Sequence, residues 1–343
     1  MIFRISLIFG FLFIPFTYTS AQESSEGTSA VFLTYHRFGE ENLPSTNVKI
    51  SQFKEQVKAL LEGGHSFPDL TSTISNLKNK ALQTPKSVIL TVDDGYKSIL
   101  TDAWPILKEN GIPLTIFIST DPIDSGQSNY LSWNDIRQLV REGVKIAHHG
   151  ANHGHGPQGS LEDFKEDIEK ASKRFKEELG IIPDIFAFPY GEYTPELQRA
   201  LKELGFKAAF GQFSGAAGPS NDPFALPRYA INEKYSNISR FKLLINSISL
   251  PVANVVPENP ILEQENNPPS FGFSLTEKIS NLNKIACYPS HLGKAADIHF
   301  IGSSRIEVRF KKPFPIGRSR INCTLPGPNG RWYWFGRPFI VYE

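Results

Sequence analysis

The apolar and polar positions of the chain follow two patterns, one up to about residue 210 and another from about residue 270. In the first part, short apolar runs alternate with segments whose apolar residues recur every three to four positions, as in amphipathic helices. This alternation predicts a mostly parallel sheet, either open or closed into a barrel. The predicted strands are Val31–Tyr35, Ser87–Val92, Leu114–Ile118, Val144–Ala147, Ile185–Phe188 and Phe206–Phe210.

Capping and terminating residues mark the helices of this first part. Ser132, Ser160 and Thr194 each stand directly before an apolar periodicity and can cap a helix. Pro105 predicts that the helix after the second strand either begins near Asp102 or is kinked. The three capped helices are predicted to end at Gly143, Gly180 and Gly205.

Beyond residue 240 the pattern changes. Residues 241–270 hold five prolines and several asparagines, which predicts a linker or a long surface connection. From residue 271 to 343, short β-rich runs are separated by turn residues, most clearly at Pro326–Gly330, and predict a small all-β, sandwich-like domain. The runs are Phe271–Leu275, Ile298–Ile301, Arg305–Phe310, Ser319–Leu325 and Arg331–Phe335.

Residues 1–21 have the pattern of a signal peptide. Arg4 precedes an apolar run from Ile5 to Phe16, and Thr19–Ala21 resembles a small-residue cleavage site. The alternative is an uncleaved membrane anchor, but the run is shorter than the ~20 residues that a spanning helix needs, and Pro15 interrupts it. We therefore predict a secreted or periplasmic protein.

Cysteine usage and charge refine this picture. In an oxidising compartment Cys287 and Cys323 can form a disulfide bond, whereas in a reducing one they would be two free buried thiols. A net charge of +1 does not favour a nucleic-acid partner, although residues 278–342 hold eleven Lys or Arg against two acidic residues. This basic region, with Trp332–Phe335 between Arg331 and Arg337, suits contact with an anionic glycan; the alternative is that the aromatic residues are core.

Polar side chains follow three of the predicted strands at the point where each strand ends. Asp93 and Asp94 follow the second predicted strand and precede Gly95. Four of the eight histidines lie within residues 148–155, after the strand Val144–Ala147. Pro189-Tyr190-Gly191 follows the strand Ile185–Phe188. Because the carboxyl ends of parallel strands meet at one edge of a sheet, these groups are expected to lie close together.

Each segment has a chemical and a structural interpretation. Of two adjacent carboxylates before a glycine, one can bind a metal while the other accepts a proton, or both can belong to a surface turn. The four-residue spacing of His149 and His153 can bring both imidazoles to one cation; a core histidine or a His-rich surface tract is the alternative. After Pro189, backbone N–H groups can stabilise an oxyanion and Tyr190 can form a wall against a sugar ring, or the proline merely ends the strand.

In this order the Asp-Asp-Gly, His-x-x-x-His and Pro-Tyr-Gly segments resemble the polysaccharide deacetylase family, also called the NodB-homology or carbohydrate esterase family 4 group, over roughly residues 30–235. The resemblance implies an α/β fold, a distorted (β/α) barrel of the NodB type, across residues 22–240. It implies that Asp93 is the catalytic base and that one divalent metal ion is bound by Asp94, His149 and His153. Zinc is the default, and cobalt, nickel or iron fit the same ligands.

The sequence departs from the family pattern at several positions. Val92 stands where phenylalanine is usual, and Gly150 stands where a hydroxyl residue is usual. The arginine that orients the base in the third family motif is replaced by Ala187, and Arg228, from a later strand, is the candidate substitute.

The histidine that serves as general acid in the family is also missing, since no histidine occurs between residues 155 and 291. His36, at the end of the first strand, is the candidate for this role. An equally weighted alternative is that the His36 ring is hydrogen-bonded to a neighbouring loop.

The resemblance implies an exported, metal-dependent hydrolase that removes N-acetyl groups from amino-sugar units of a polysaccharide or oligosaccharide, with Tyr190 N–H stabilising the oxyanion and Pro189 and Tyr190 contacting substrate. One alternative keeps the site but changes the bond, namely an O-acetyl esterase of the xylan type. The other is a catalytically impaired carbohydrate-binding protein, which the departures at the arginine and histidine positions favour.

Overall fold

The computed structural model describes residues 28–81, 84 and 86–343, so the predicted signal peptide, residues 1–21, lies outside the described residues. Strands and helices alternate through the first part of the chain, as the apolar pattern predicts. The strands are β1 (Ala30–Tyr35), β2 (Arg37–Phe38), β3 (Asn47–Val48), β4 (Ser87–Asp94), β5 (Leu114–Ile118), β6 (Lys145–His148), β7 (Ile185–Ala187), β8 (Ala208–Phe210) and β9 (Tyr229–Ala230). The helices are α1 (Ile50–Glu62), α2 (Leu70–Lys78), α3 (Trp104–Glu109), α4 (Thr120–Asp124), α5 (Trp133–Arg141), α6 (Leu161–Leu179), α7 (Pro195–Glu203) and α8 (Ile238–Ile245).

Seven strands form one parallel sheet in the order β8-β7-β6-β5-β4-β1-β9, while β2 and β3 pair separately. The rings of Phe32 in β1 and Phe210 in β8 lie 4.9 Å apart, although five strand spacings separate these strands along the sheet. In a flat sheet that separation would be roughly 24 Å. The sheet is therefore strongly curled, and the prediction of a distorted barrel is confirmed.

The central strands β1, β4 and β5 of the curled sheet are buried on both faces. Every residue of β1 and β4 is buried, as expected when helices cover the outside of a parallel sheet. Inside the curl, Phe117 packs edge-on against Phe210, and their rings lie 5.8 Å apart. Because aromatic side chains fill the inside of the curl, the polar side chains lie at the edge formed by the carboxyl ends of the strands.

The helix boundaries follow the caps that the sequence marks. Ser132 and Ser160 each accept a hydrogen bond from the backbone N–H three residues later, at the starts of α5 and α6. Gly180 ends α6 with φ 73°, a left-handed conformation that glycine adopts without strain. Before Pro105 a π-helical turn spans Ile99–Ala103 and runs directly into α3 at Trp104, so the helix begins before Asp102 and is irregular in the turn that precedes the proline. Among the described residues, no helix is both long and apolar enough to cross a membrane.

The second part of the chain is a β-sandwich, as predicted. One sheet has the order β10-β17-β16-β13 and the other β11-β12-β15-β14, and the two share one apolar core that includes Phe271, Phe273 and Phe339. The strands are β10 (Ser247–Ser249), β11 (Val252–Val256), β12 (Phe271–Leu275), β13 (Ala286–Pro289), β14 (Asp297–Ile301), β15 (Arg305–Arg309), β16 (Gly317–Pro326) and β17 (Trp332–Val341). Cys287 and Cys323 form a disulfide bond between directly opposed positions of β13 and β16, within one sheet.

The segment predicted as a linker, residues 241–270, differs in the structure. It contains most of α8 and the strands β10 and β11, which pair with β17 and β12 respectively. Both strands lie at sheet edges, where a proline's missing N–H costs no ladder hydrogen bond. The prolines that indicated a linker therefore stand beside short edge strands and bends.

Candidate metal centre and active site

The candidate site lies at the carboxyl ends of β4, β6 and β7. Asp93 and Asp94 are the last two residues of β4, and the chain then turns through left-handed conformations at Asp94 (φ 75°) and Gly95 (φ 85°). On a straight strand, adjacent side chains point to opposite faces of the sheet. Here the bend at the end of β4 keeps both carboxylates at the strand end but turns them toward different partners. One carboxylate thus faces an arginine and the other faces two histidines.

Asp94, His149 and His153 each bring one ligating atom into a cluster in which all of these atoms lie within 4.8 Å of one another. Asp94 Oδ1 lies 3.5 Å from His149 Nε2 and 3.1 Å from His153 Nε2. This oxygen is buried and has no hydrogen-bond partner among the described residues. A buried, unsatisfied carboxylate oxygen beside two imidazole nitrogens fits a divalent cation.

A hydrogen bond from the other ring nitrogen of His149 orients this metal ligand. His149 Nδ1 donates to the backbone oxygen of Ala187, 2.7 Å away, which leaves the Nε2 lone pair facing Asp94. Burial by itself would raise the pKa of Asp94, but the two imidazoles outweigh it and hold that pKa well below the usual value. The carboxylate is therefore ionised and ready to bind a cation.

The loop that carries the two histidines is held by Asp167 of α6, which the sequence analysis missed. Asp167 Oδ2 accepts from Ala151 N at 2.8 Å, and Oδ1 accepts from Asn152 N at 2.9 Å. A Cβ atom added at Gly150, whose φ is 76°, would lie only 2.5 Å from Asp167 Oδ2. This contact explains the glycine at the position of a hydroxyl residue. The available signal was a carboxylate beside the apolar face of α6.

Asp93 is paired with Arg228, the candidate substitute for the missing motif arginine. The guanidinium is fully buried and donates to both carboxylate oxygens at 2.7 Å. It also donates to Gly211 O and Thr91 Oγ1 and lies over the Phe117 ring. Burial raises the pKa of Asp93, but the charge and hydrogen bonds of Arg228, together with the charges of His149 and His36, outweigh burial and keep that pKa below the usual value.

His36 follows β1 at the same edge of the sheet. Tyr35 is in register with Val92, so His36 and Asp93 are the next residues along two neighbouring parallel strands. The Nε2 atom of His36 lies 3.2 Å from Gln212 Nε2. Burial lowers the pKa of His36, and the charges of Asp94 and Asp93 partly oppose this effect. The structure thus contains both the placement near the carboxylates and the contact with a neighbouring loop.

Pro189 and Tyr190 lie in the turn after β7, separated from the strand by Phe188, and the last carbonyl of β7, that of Ala187, orients His149. Tyr190 has φ 58°, a left-handed conformation rare for a residue with a large side chain. Its ring lies 4.6 Å from the His153 ring and stacks on His155 at 4.0 Å. Tyr190 therefore forms one wall of the cluster.

Of the other two histidines of the tract, His148 has a structural place in the core. His148 is fully buried, packs against Phe175 and Phe206, and lies 3.2 Å from Ser172 Oγ through its Nε2 atom. Burial lowers the pKa of His148 to about 3. His148, the last residue of β6, thus faces the core, whereas His149, the next residue, faces the metal-ligand cluster.

The aromatic residues of β17 are divided between core and surface. Phe335 is buried, Tyr333 and Trp334 are half-buried, and Trp332 is the most exposed of the four. Arg331 is buried and donates to the backbone oxygens of Asn246 and Ser247. Most of this run therefore packs inside the protein.

Comparison with known proteins agrees with this geometry. Residues 80–209 match the family model described as polysaccharide deacetylase. A putative polysaccharide deacetylase, YxkH of Bacillus subtilis, is 26% identical over 220 residues, which cover 63% of this chain and 76% of the relative. A poly-beta-1,6-N-acetyl-D-glucosamine N-deacetylase of Staphylococcus aureus is 25% identical over 233 residues, covering 60% of this chain and 79% of the relative.

Two solved structures share the fold. IcaB from Ammonifex degensii has a TM-score of 0.58 and 24% identity and covers 64% of this chain and 98% of its own. The deacetylase PplD of Streptococcus pyogenes, in complex with acetate, has a TM-score of 0.59 and 20% identity and covers 64% of this chain and 99% of its own. About a third of this chain thus has no counterpart in these two structures. N-deacetylases are hydrolases of non-peptide carbon–nitrogen bonds, the predicted enzyme class.

Proposed function

We propose that the chain, whose residues 80–209 match the polysaccharide deacetylase family model, is an exported, metal-dependent enzyme that removes N-acetyl groups from amino-sugar polymers. The observation that carries the proposal is the convergence of Asp94, His149 and His153, next to a second carboxylate, Asp93, held by a buried arginine. The name of the S. aureus relatives supports N-acetylglucosamine polymers as the substrate class.

Asp94, His149 and His153 would hold the metal ion. A bound divalent cation polarises a carbonyl and lowers the pKa of a coordinated water toward ~7. Zinc suits one carboxylate and two imidazoles, and cobalt, nickel or iron suit the same set.

Asp93 is the proposed base. Its bidentate pair with Arg228 fixes the orientation of the carboxylate and keeps it ionised near neutral pH. The carboxylate takes a proton from the attacking water as the new bond to the acetyl carbon forms. Arg228 acts through Asp93 and is a positioning residue.

Tyr190 and His36 complete the reaction. The backbone N–H of Tyr190, in the turn after β7, donates to the oxyanion of the tetrahedral species, and Pro189 and the Tyr190 ring contact the sugar. His36 then gives a proton to the departing nitrogen as the carbon–nitrogen bond breaks, which yields acetate and a free amine.

The contact of His36 with Gln212 competes with its role as an acid and favours the O-acetyl ester as a second candidate substrate, because an alkoxide leaves with less help from an acid than an amide nitrogen does. Acetate release from acetylated glucosamine oligomers and from acetylated xylan separates the two. Faster turnover of xylan would assign the esterase activity.

Asp93→Asn tests the proposal as a whole. The asparagine cannot accept the proton, so we expect acetate release to fall at least ~100-fold, while one metal ion per chain remains by elemental analysis. Glu166→Gln, an exposed change on α6, is the matched control and should retain both. Unchanged acetate release in Asp93→Asn, or no metal bound by the wild type, would refute the mechanism. Metal binding without turnover in the wild type would indicate a carbohydrate-binding protein.

Export rests on the signal-peptide pattern of residues 1–21 and is consistent with the disulfide bond Cys287–Cys323, which suits an oxidising compartment. The contact of the basic C-terminal region with an anionic glycan stays a prediction. The exposed Lys312 is available for it, whereas Lys311 pairs with Asp297, and Arg331 and Arg337 already bind backbone oxygens.

A further inference from the structure

A groove of about 580 Å³ lies where the β-sandwich meets the parallel-sheet region. We call it the junction groove. The parallel-sheet region contributes His155, Gln158 and Glu192, and the sandwich contributes residues 316–318 and 340–343. Its volume falls within the range of ~300–1,000 Å³ that is typical of ligand sites.

The junction groove begins one aromatic ring away from the metal ligands. The His153 ring lies 4.6 Å from the Tyr190 ring, and the other neighbour of Tyr190 is His155, parallel to it at 4.0 Å. Because His155 lines the groove, a chain molecule with one unit at the metal site has its next units within reach of the groove.

Hydrogen bonds between the two regions build the groove. Glu192, only 3% exposed, accepts from His155 Nδ1 at 2.7 Å and from Tyr342 OH at 3.0 Å. Arg318 Nη1 donates to the backbone oxygen of Tyr190 at 3.2 Å, and its guanidinium lies 5.1 Å from the centre of the Tyr190 ring. The sandwich is therefore joined to the same loop that forms the wall of the metal site.

The lining offers both apolar and polar contacts. Ile316 is 65% exposed, and the Arg318 side chain is half exposed. Gln158 and Tyr342 add hydrogen-bonding groups at the same surface. A sugar ring has an apolar face of C–H groups and a rim of hydroxyls, so it matches a surface of this kind.

We propose that the junction groove binds the sugar units next to the one being deacetylated, so that the β-sandwich contributes a subsite for an acetylated polymer. This inference rests on the proposed function. It gives the sandwich a role in selecting long chains over short ones.

The test compares a long and a short acetylated glucosamine oligomer as substrates of the full chain. The wild type should have a higher kcat/KM for the long oligomer, and Ile316→Ser combined with Gln158→Ala should reduce that preference about 5- to 10-fold. Ile301→Ser is the matched control, because Ile301 is also a strongly exposed isoleucine of the sandwich, 57% exposed, and does not line the groove. A wild type without preference for length, or groove variants that keep it, would overturn the inference.

A binding measurement separates this inference from the proposed function. Titration of the long oligomer into Asp93→Asn protein should give a Kd that rises about 5- to 10-fold when the two groove substitutions are added. If the wild type releases no acetate from any oligomer but this difference in Kd is present, the deacetylase proposal fails and the subsite stands. If acetate is released but the Kd values are equal, the subsite fails alone.

Discussion

The parallel-sheet region buries charged side chains, whereas the core of the β-sandwich is apolar. At the carboxyl ends of the parallel strands, Asp93, Arg228 and His149 are almost entirely buried, whereas the sandwich core consists of apolar side chains and the disulfide bond. Because burying an ionised group is costly unless it is paired, a cluster of buried charges is retained where it has a chemical use. The sandwich has no comparable cluster among the described residues, and it takes part in the site through Arg318 and Tyr342 at its surface.

The largest effect expected from this difference comes from Arg228→Met. The substitution leaves the Asp93 carboxylate buried without its partner, so the free energy of unfolding should fall by about 3–5 kcal/mol and acetate release should be lost. Lys311→Ala breaks an exposed ion pair of the sandwich, that with Asp297, and should cost less than about 1 kcal/mol. Urea unfolding measures both. Equal losses in the two variants would remove the contrast between the regions.

The disulfide tests the sandwich alone. Replacing Cys287 and Cys323 by serine removes a cross-link between residues separated by 36 positions, and should lower the free energy of unfolding by about 2–4 kcal/mol. Metal stoichiometry should stay at that of the wild type, since the ligands lie on the other region. Loss of metal from the correctly folded double variant would show that the two regions are more strongly coupled than the comparison implies.

Asp167→Asn sharpens the assignment of the metal loop. An amide presents one acceptor oxygen where the carboxylate presents two to the N–H groups of Ala151 and Asn152, so metal affinity should fall about 10-fold while the fold remains. Competition with a chelator measures the affinity. Glu166→Gln, a neighbouring exposed change on α6, should leave it unaltered, and equal affinities in all three proteins would exclude a role for Asp167.

The smallest effect concerns pH and the buried His148. Its pKa is about 3 in the folded state against 6.5 ordinarily, so the unfolded chain takes up a proton that the folded chain does not. Stability contributed by the neutral ring is therefore complete above about pH 6.5 and declines as the pH falls toward 3, by at most about 1.4 kcal/mol per unit. His148→Phe should reduce this slope in urea unfolding between pH 6.5 and 5. An unchanged slope would contradict the core assignment.

The sequence predicted best what depends on neighbours along the chain. The cap at Ser160 and the glycine at 180 bound α6 because capping and left-handed backbone are local properties. The spacing of His149 and His153 likewise indicated a shared cation before any fold was known. Where prediction differed, at residues 241–270, the missing information was the edge position of β10 and β11, which only the partner strands reveal.

By itself the sequence determined the alternation of strands and helices, the fold family and the order of the acidic and histidine segments, since periodicity and spacing are written along the chain. Only the tertiary structure decided that Arg228, 135 residues after Asp93, meets it through two hydrogen bonds, and that Asp167 and the sandwich support the loops of the site. These contacts depend on the order of strands in a curled sheet and on the docking of a second region. A buried charge is stabilised by an opposite charge that lies close to it in space. Residues far apart in the chain can be such neighbours, so no local sequence pattern predicts the pair.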